Sequence, residues 1–417
     1  MLLKQLVTQS PTSIQYIERY INDGSPSGFT MLYTTSPETS PFGKTEWFHP
    51  FICIAHLDYF KTFGHIPSWG GEPFSSRNNW VLVHPDMADN KFFLNPNLRL
   101  SKDEELKVLP TASGRTVQIV NRGHQDYVKL HYEGILGRVM RELPYKKAIG
   151  GPEASRMITK AIDDKLLPRE LSLLPEPGAR VVEIESNGNK EQWGMVWREN
   201  KPYAVELGEV KYPIPAFSLF SFDRFASQHY PLLKQIIDFT SINAERFVLD
   251  ILIAPLLKCY FELILTLGLQ AEWNAQNVII GFNDDFTSAK VIMRDLESID
   301  KDLTIMDSLG VSYNFESYPY KCIAQGQYNY VIKHSFMYDF KLGEYILDPL
   351  LALLQKYYGV DYIATQNKVR EIARQYIDKL PRDFFPKDKW FTFEKVLVDQ
   401  RFNERPYLEH DNPKFRF

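Results

Sequence analysis

Apolar positions along the chain fall into two rhythms, and each predicts its own kind of element. In Ser13-Ile14-Gln15-Tyr16-Ile17-Glu18-Arg19-Tyr20-Ile21 apolar residues recur at i, i+3, i+4 and i+7, which predicts an amphipathic helix with Ser13 at its start. Helical spacing returns over Ile158–Leu166, Phe247–Leu267 and Gln366–Leu380. Asn243 is placed to cap a helix beginning at Ala244, and Asp348-Pro349 reads as another start, a capping carboxylate followed by a first-turn proline and Leu350 to Tyr358. Short apolar runs bounded by Asn, Asp and Gly predict strands instead: Trp80–Val83, Val117–Val120, Tyr127–Tyr132, Val278–Ile280 and Val291–Met293. Ala179–Ile184 and Gln192–Arg198 read as a hairpin across Asn187-Gly188-Asn189. Asp23 to Pro41, rich in Gly, Ser, Pro and Thr, reads as loop or hairpin. Helices and strands are mixed rather than strictly alternating, so the fold class expected is α+β.

At 417 residues the chain exceeds one small core, and two or three subdomains are expected. The net charge of −4, from 48 basic and 52 acidic residues, leaves no electrostatic footprint for nucleic acid or an anionic membrane. Phe247–Leu267 is the most hydrophobic segment, but Asp250, Pro255, Lys258 and Glu262 interrupt it, so it is expected to be a buried helix and not a membrane span. Cys53, Cys259 and Cys322 are far apart and form no CxxC, which argues against a disulfide framework, a zinc site and an Fe–S centre, and with that last absence against an iron-handling or reductase role. The first residues lack a sustained apolar run, so no signal peptide is expected, and reduced thiols suit a cytoplasmic protein.

Two blocks carry candidate chemistry. In Leu109–Glu142, Ser113, Arg115 and Thr116 offer a hydroxyl, a guanidinium fork and a second hydroxyl beside Gly114, with Lys129 and Arg141 on following elements. Such a set suits phosphate, because glycine admits close backbone approach and the cations match its charge; two solvated strands with surface cations are the plainer alternative. In Gly268–Glu297, Gln276 and Asn277 precede one predicted strand and Asp295 follows its hairpin partner. Amide and carboxylate oxygens side by side suit Mg²⁺ carrying nucleotide phosphate, whereas an ordinary hairpin would turn them to water. Arg198, Glu206 and Glu209 are further polar residues without a pattern.

The string Gly268-Leu-Gln-Ala-Glu272-Trp-Asn274-Ala-Gln276-Asn277, followed by Arg294-Asp295, resembles the C-terminal signature of the NRPS-independent siderophore synthetases, the aerobactin-synthetase-like family, close to G-x-x-x-E-A-H-x-Q-N and then R-D. Asn274 stands where that family has His. The first block is similar to the family's S-x-R-T, K-L-S-L and T-S-A-x-R, with Ser113, Arg115, Thr116, Lys129 and Arg141 at ATP-contacting positions; His131 and Gly137-Arg138 depart from it. His49-Pro50 resembles an early H-P-x-x-K-x-R-x-G segment only in its first two residues, Cys53 and Ala55 replacing Lys and Arg, while Val83-His84-Pro85-Asp86 resembles a later P-V-H-P-W-Q, and Gly150-Gly151-Pro152 an N-G-P turn. The tail, Phe391 to Asn403, loosely resembles the family's closing helix. The likeness covers about residues 47–417 and is strongest at 109–152 and 262–297.

The resemblance implies a cupped-hand architecture: β-rich fingers over 45–235, a mainly helical palm over 236–417, and a thumb reduced to 1–44. It implies ATP held by Ser113, Arg115, Thr116, Lys129, Arg141, His49, Gln276 and Asn277, and Mg²⁺ held by Asn277, Asp295 and Glu272, with Arg115, Lys129, Arg141 and Asn274 at the catalytic positions. The activity implied is ligation: a citrate-like polycarboxylate is adenylated and condensed with an amine or hydroxylamine. Small-molecule partners are expected, and a homodimer is compatible. A catalytically degenerate relative that binds nucleotide or a partner is the alternative, because Asn274 removes a titratable group.

Overall fold

The computed structural model describes residues 3, 13–23, 35–42, 47–67, 78–121, 125–136, 139–186, 188–317, 323–324, 327–328, 330–381, 383–393 and 407–416. Two apolar cores organise it. The smaller lies between a six-stranded antiparallel sheet and a three-stranded one. The six strands run in the order Phe60–Gly64, Gly178–Ser186, Asn189–Arg198, Tyr127–Leu130, Thr116–Ile119 and Val108–Pro110. The three are Asn78–Val83, Phe51–His56 and Arg99–Lys102. Val117, Val128 and Val182, together with Trp193 and Trp197, fill the space between the sheets. The expected hairpin forms, its register closing at Ser186↔Asn189 with Gly188 at φ 76°, a backbone value that glycine adopts freely.

The larger core joins helices to a four-stranded sheet ordered Leu171–Leu173, Ala289–Met293, Val278–Phe282 and Tyr212–Pro215. The first pair is parallel and the other two are antiparallel. The divisions read at 44 and 235 are therefore not where the sheets divide. Leu171–Leu173 and Tyr212–Pro215 serve the palm sheet, and the helix Ser13–Tyr20 sends Ile17 into the palm core. Hydrogen-bonded pairing across the chain outweighs sequence neighbourhood here.

Several element boundaries differ from the sequence reading. The helix expected from Ile158 begins at Gly150 and ends at Asp163, because the Gly150-Gly151-Pro152 turn is its first turn. Asn243 does cap, its side chain accepting from the Arg246 amide. Asp348 does not: Phe336–Leu347 runs in wide turns straight into the α-helix Asp348–Tyr358, and Asp348 instead accepts from the Tyr362 hydroxyl and the Lys414 ammonium. The pattern repeats at Phe247–Ile253, which widens just ahead of Ala254–Leu267. In both cases proline, Pro349 or Pro255, follows within two residues. Proline lacks an N–H and crowds the carbonyl one turn back, and a π-type turn relieves both, so the helix continues where an α-turn would break. The last amphipathic helix is Tyr362–Ile377, capped by Asp361. Where the tail was expected to be helical, Lys389–Phe393 is a strand paired with Tyr407–Asp411, and residues 394–406 lie outside the described residues. Cys53 and Cys259 are buried thiols, with Cys322 outside the described residues. Among the described residues no helix is long and apolar enough to cross a membrane.

Two buried histidines close the finger core. His84 accepts the Asp86 amide on its Nδ1, and burial pushes its pKa down to about 4. His131 accepts the Leu143 amide at 3.1 Å and stacks on Trp193 at 4.1 Å; burial, then the Arg115 charge, pushes it down to about 3. A group whose folded pKa is depressed in this way leaves the unfolded chain to take up the proton first. Its contribution is complete above the unfolded value of about 6.5 and falls as pH drops toward 3. At pH 5 the His131 contribution should be lower by about 2 kcal/mol. Guanidinium melts at pH 7 and pH 5 should show wild type losing that much more stability than His131→Asn, which keeps an acceptor for the Leu143 amide but does not titrate; equal losses would refute the assignment.

Candidate functional site

The finger sheet builds a cationic wall from register alone. Thr116 pairs with Lys129, and Tyr127 with Arg198, on adjacent antiparallel strands. The turn before Thr116 is closed by its own polar groups. Gly114, at φ 75°, donates to the Thr111 carbonyl, and Ser113 Oγ accepts the Thr116 amide at 3.0 Å. Arg115 leaves this turn fully buried and donates to the Arg141 carbonyl at 2.5 Å, so the two arginines are fixed to each other through backbone. Arg141 Nε in turn holds the Leu136 carbonyl.

The palm hairpin supplies the opposite wall. Val278 pairs with Met293, so Asn277 and Arg294 meet at the strand ends, and the Arg294 amide donates to the Asn277 carbonyl at 3.0 Å. Residues 17 or more apart in sequence become neighbours because the strands between them pair antiparallel, buried throughout except at Ala289. Asp295 follows at φ 65°, a left-handed position that few side chains adopt, which turns its carboxylate back over the strand ends.

Both walls border one cleft of about 620 Å³. Thr111, Ser113, Arg115, Thr116, Lys129, Arg141 and Arg198 line it from the fingers; Gln276, Asn277, Arg294 and Asp295 line it from the palm, with Tyr127 and Leu174. Glu18 reaches in from the N-terminal helix. Charges are matched across the gap. Lys129 pairs with both Asp295 and Glu297. Arg198 binds Glu176 at 2.6 Å and Asp295 at 3.1 Å, Arg294 binds Glu18 at 2.9 Å, and Arg115 lies 3.6 Å from Glu297. Burial alone would favour neutral Asp295, yet Lys129 and Arg198 hold its carboxyl well below the usual range. Glu297 is likewise held low against burial by Lys129 and Arg115. Burial brings the Arg115 pKa down to about 10 despite Glu297. Gly151 makes room for this network: a Cβ there would stand 1.8 Å from Glu176 Oε2.

Of the residues singled out in the sequence, Ser113, Arg115, Thr116, Lys129, Arg141, Gln276, Asn277 and Asp295 come together. His49 is not among the described residues lining the cleft; its Nδ1 is bonded to the Leu106 carbonyl at 2.9 Å. Asn274 spends its carbonyl oxygen on the Gln276 and Asn277 amides, at 2.9 and 3.0 Å, and so shapes the loop. Glu272 lies behind, 2.6 Å from Lys341. Glu206 and Glu209 do not line the cleft either; Glu209 binds Arg169 and Lys290. Sequence reasoning missed Glu18, Glu176 and Glu297 and assigned Arg294 no role. For Glu18 a signal existed, since it sits three and four residues from Ile21 and Ile14 on the apolar stripe, where a charge needs a partner.

Mg²⁺ takes one or two protein oxygens together with substrate phosphate. Asn277 and Asp295 both line the cleft, Asp295 with Oδ1 already paired to Lys129 and Arg198, whereas Glu272, engaged by Lys341, does not line it. Among the described residues no cluster of three or more His, Cys, Asp or Glu is arranged for a metal.

Residues 80–221 match the IucA / IucC family. No curated protein matches the chain in sequence. Among solved structures, the petrobactin biosynthesis protein AsbB from Bacillus anthracis is similar over 98% of this chain and 75% of its own, with a TM-score of 0.70 at 14% identity. Aerobactin synthetase IucC from a hypervirulent pathotype of Klebsiella pneumoniae is similar over 92% and 72%, with a TM-score of 0.66 at 15% identity. The ATP-bound aerobactin synthetase IucA of the same source is similar over 98% and 82%, with a TM-score of 0.65 at 14% identity. The expected α+β architecture and the family resemblance are thus borne out: the chain matches the IucA / IucC family over residues 80–221 and has the fold of these solved siderophore-pathway proteins along nearly all its length.

Proposed function

We propose that the chain is an ATP-dependent ligase that activates a citrate-like polycarboxylate as its acyl-adenylate and passes it to an amine or hydroxylamine. One observation carries this reading: Arg115, Lys129 and Arg141 border the same cleft as Asn277 and Asp295. The ATP-bound IucA structure, of like fold, supports nucleotide binding by this chain.

A carboxylate oxygen attacks the α-phosphorus, and the bond to the bridging oxygen breaks to release pyrophosphate. The amine nitrogen then attacks the acyl carbon, AMP departs with the bonding pair, and the nitrogen loses its proton to give the amide. Lys129, Arg115 and Arg141 hold negative charge where it grows on the phosphorus oxygens, an effect strengthened by their burial. Ser113 and Thr116 hydroxyls orient the phosphates from the turn. Asn277 and Asp295 would hold a Mg²⁺ carried in with ATP, which would supply charge for the departing pyrophosphate. No protein nucleophile is needed.

Asn274 favours a second reading, a relative that binds nucleotide without turnover, because its side chain shapes the loop and brings no titratable group to the position where the family string has His. AMP release separates the two.

Purified protein with ATP, Mg²⁺, citrate and a diamine should release AMP and pyrophosphate, and Arg141→Gln should cut the rate by about a hundredfold or more while leaving the far-ultraviolet spectrum unchanged. ATP binding by calorimetry without AMP from any of citrate, 2-oxoglutarate or succinyl-type acids would establish the second reading instead. Asn274→Ala loses two amide bonds and should raise the KM for MgATP about tenfold with a smaller effect on kcat, while Asn274→Asp, which keeps the acceptor, should restore it. An unaltered KM in the alanine variant would show that the loop does not depend on that side chain.

A further inference from the structure

One carboxylate that lines the cleft belongs to neither wall. Glu18 sits on the N-terminal helix Ser13–Tyr20 and is 1% exposed. That helix is fastened to the palm along its length. Ile17 enters the palm core, and its carbonyl accepts from the Ser218 hydroxyl at 3.3 Å. The Tyr16 hydroxyl donates to Asp223 at 3.2 Å, and the Tyr20 carbonyl accepts the Arg224 amide at 2.9 Å. A carboxylate carried on so well anchored an element has a fixed position.

Its two oxygens are spent on different walls. Oε1 accepts the Ala112 amide at 3.3 Å, in the finger turn that presents Ser113 and Arg115. Oε2 accepts Arg294 Nη1 at 2.9 Å, at the end of the palm hairpin. Each contact is backed by another. The Ala112 side chain is buried in the palm core although its turn leads into the finger sheet. Arg294 Nε donates to the Gln276 carbonyl at 2.7 Å, so the guanidinium also holds the loop that carries Asn277. Neutralising Arg294 would need only one of these bonds. Spending both oxygens, across 94 positions in one direction and 276 in the other, ties the phosphate turn and the oxygen-bearing loop to a single rigid group.

We propose that Glu18 is a positioning residue of the nucleotide site, setting the turn at 111–116 and the loop at 276–277 against one another through Ala112 and Arg294. The N-terminal helix is thereby a working part of the site. The assignment deepens the ligase reading and rests on it for the identity of the ligand, whereas the coupling of the two segments is a property of the unliganded protein.

Amide hydrogen exchange of the unliganded protein, followed by calorimetric titration with a non-hydrolysable ATP analogue and Mg²⁺, tests this without requiring turnover. Glu18→Ala should exchange about fivefold faster at both 111–116 and 276–277, the size of a lost hydrogen bond at each. Glu18→Gln, of the same size, keeps one acceptor oxygen, which the Arg294 charge will take, so only the 111–116 turn should exchange faster. Glu18→Ala should bind the analogue about tenfold more weakly. Combined with Arg294→Ala it should lose less than the product of the two single losses, because both changes break the same link. Unchanged exchange at both segments overturns the proposal, as do losses that multiply. Equal or tighter binding by Glu18→Ala also overturns it, since the carboxylate would then only offset the Arg294 charge. Should Glu18→Ala not fold, the glutamine variant decides: unchanged exchange at 111–116 overturns the proposal. Failure of the analogue to bind wild type counts against the ligase reading, while exchange still decides the coupling.

Discussion

The two sheets are held to one another by buried charge. Lys129 and Arg198 belong to the finger sheet, Asp295 and Glu297 to the end of the palm hairpin, and Glu176 to the crossing between them. Ion pairs in a dry interior gain little net stability over apolar packing, because each charge gives up its hydration, yet removing one partner strands the other at a cost of about 3–5 kcal/mol. The arrangement therefore specifies geometry more than it adds stability. It fixes the spacing between the cationic wall of the fingers and the carboxylates at the end of the palm hairpin, between which the turn at Gly114 and the left-handed Asp295 are set.

Self-compensation has a chemical meaning as well. On the proposed ligase reading, a triphosphate entering the cleft would meet cations whose charge is already balanced by Asp295, Glu297 and Glu18. Its binding energy is the difference between the new bonds these cations make to phosphate and the carboxylate bonds they loosen. Such exchange suits the proposed release of pyrophosphate and AMP, since a surplus of free cations would retain them.

Much of this was readable in the chain. Strands such as Val278–Phe282 announced themselves through apolar runs between Asn and Asp turns, and the cations of residues 113–141 stood out because Arg115 and Lys129 interrupt otherwise strand-like text. The rest depended on contacts that local pattern does not encode. Glu18 meets Arg294 across 276 positions, and Leu171–Leu173 joins the palm sheet through a parallel pairing that only the folded topology defines. Asp348-Pro349 misled for a physical reason: the preceding wide turns absorb the proline, so a start signal lies within a continuing helix. Asn274, read as a lost functional group, turned out to have loop-building work of its own.

The crossing from palm sheet to finger sheet takes only Leu174 to Pro177, and each of its residues is tied down. Leu174 donates to Met293, Pro175 accepts from Glu199, Glu176 donates to Ser155 and Pro177 accepts from His65. A tether so short and so fully bonded carries the register of Leu171–Leu173 in the palm sheet directly into Gly178–Ser186 in the finger sheet, so both walls of the cleft are laid out from one shared point of reference.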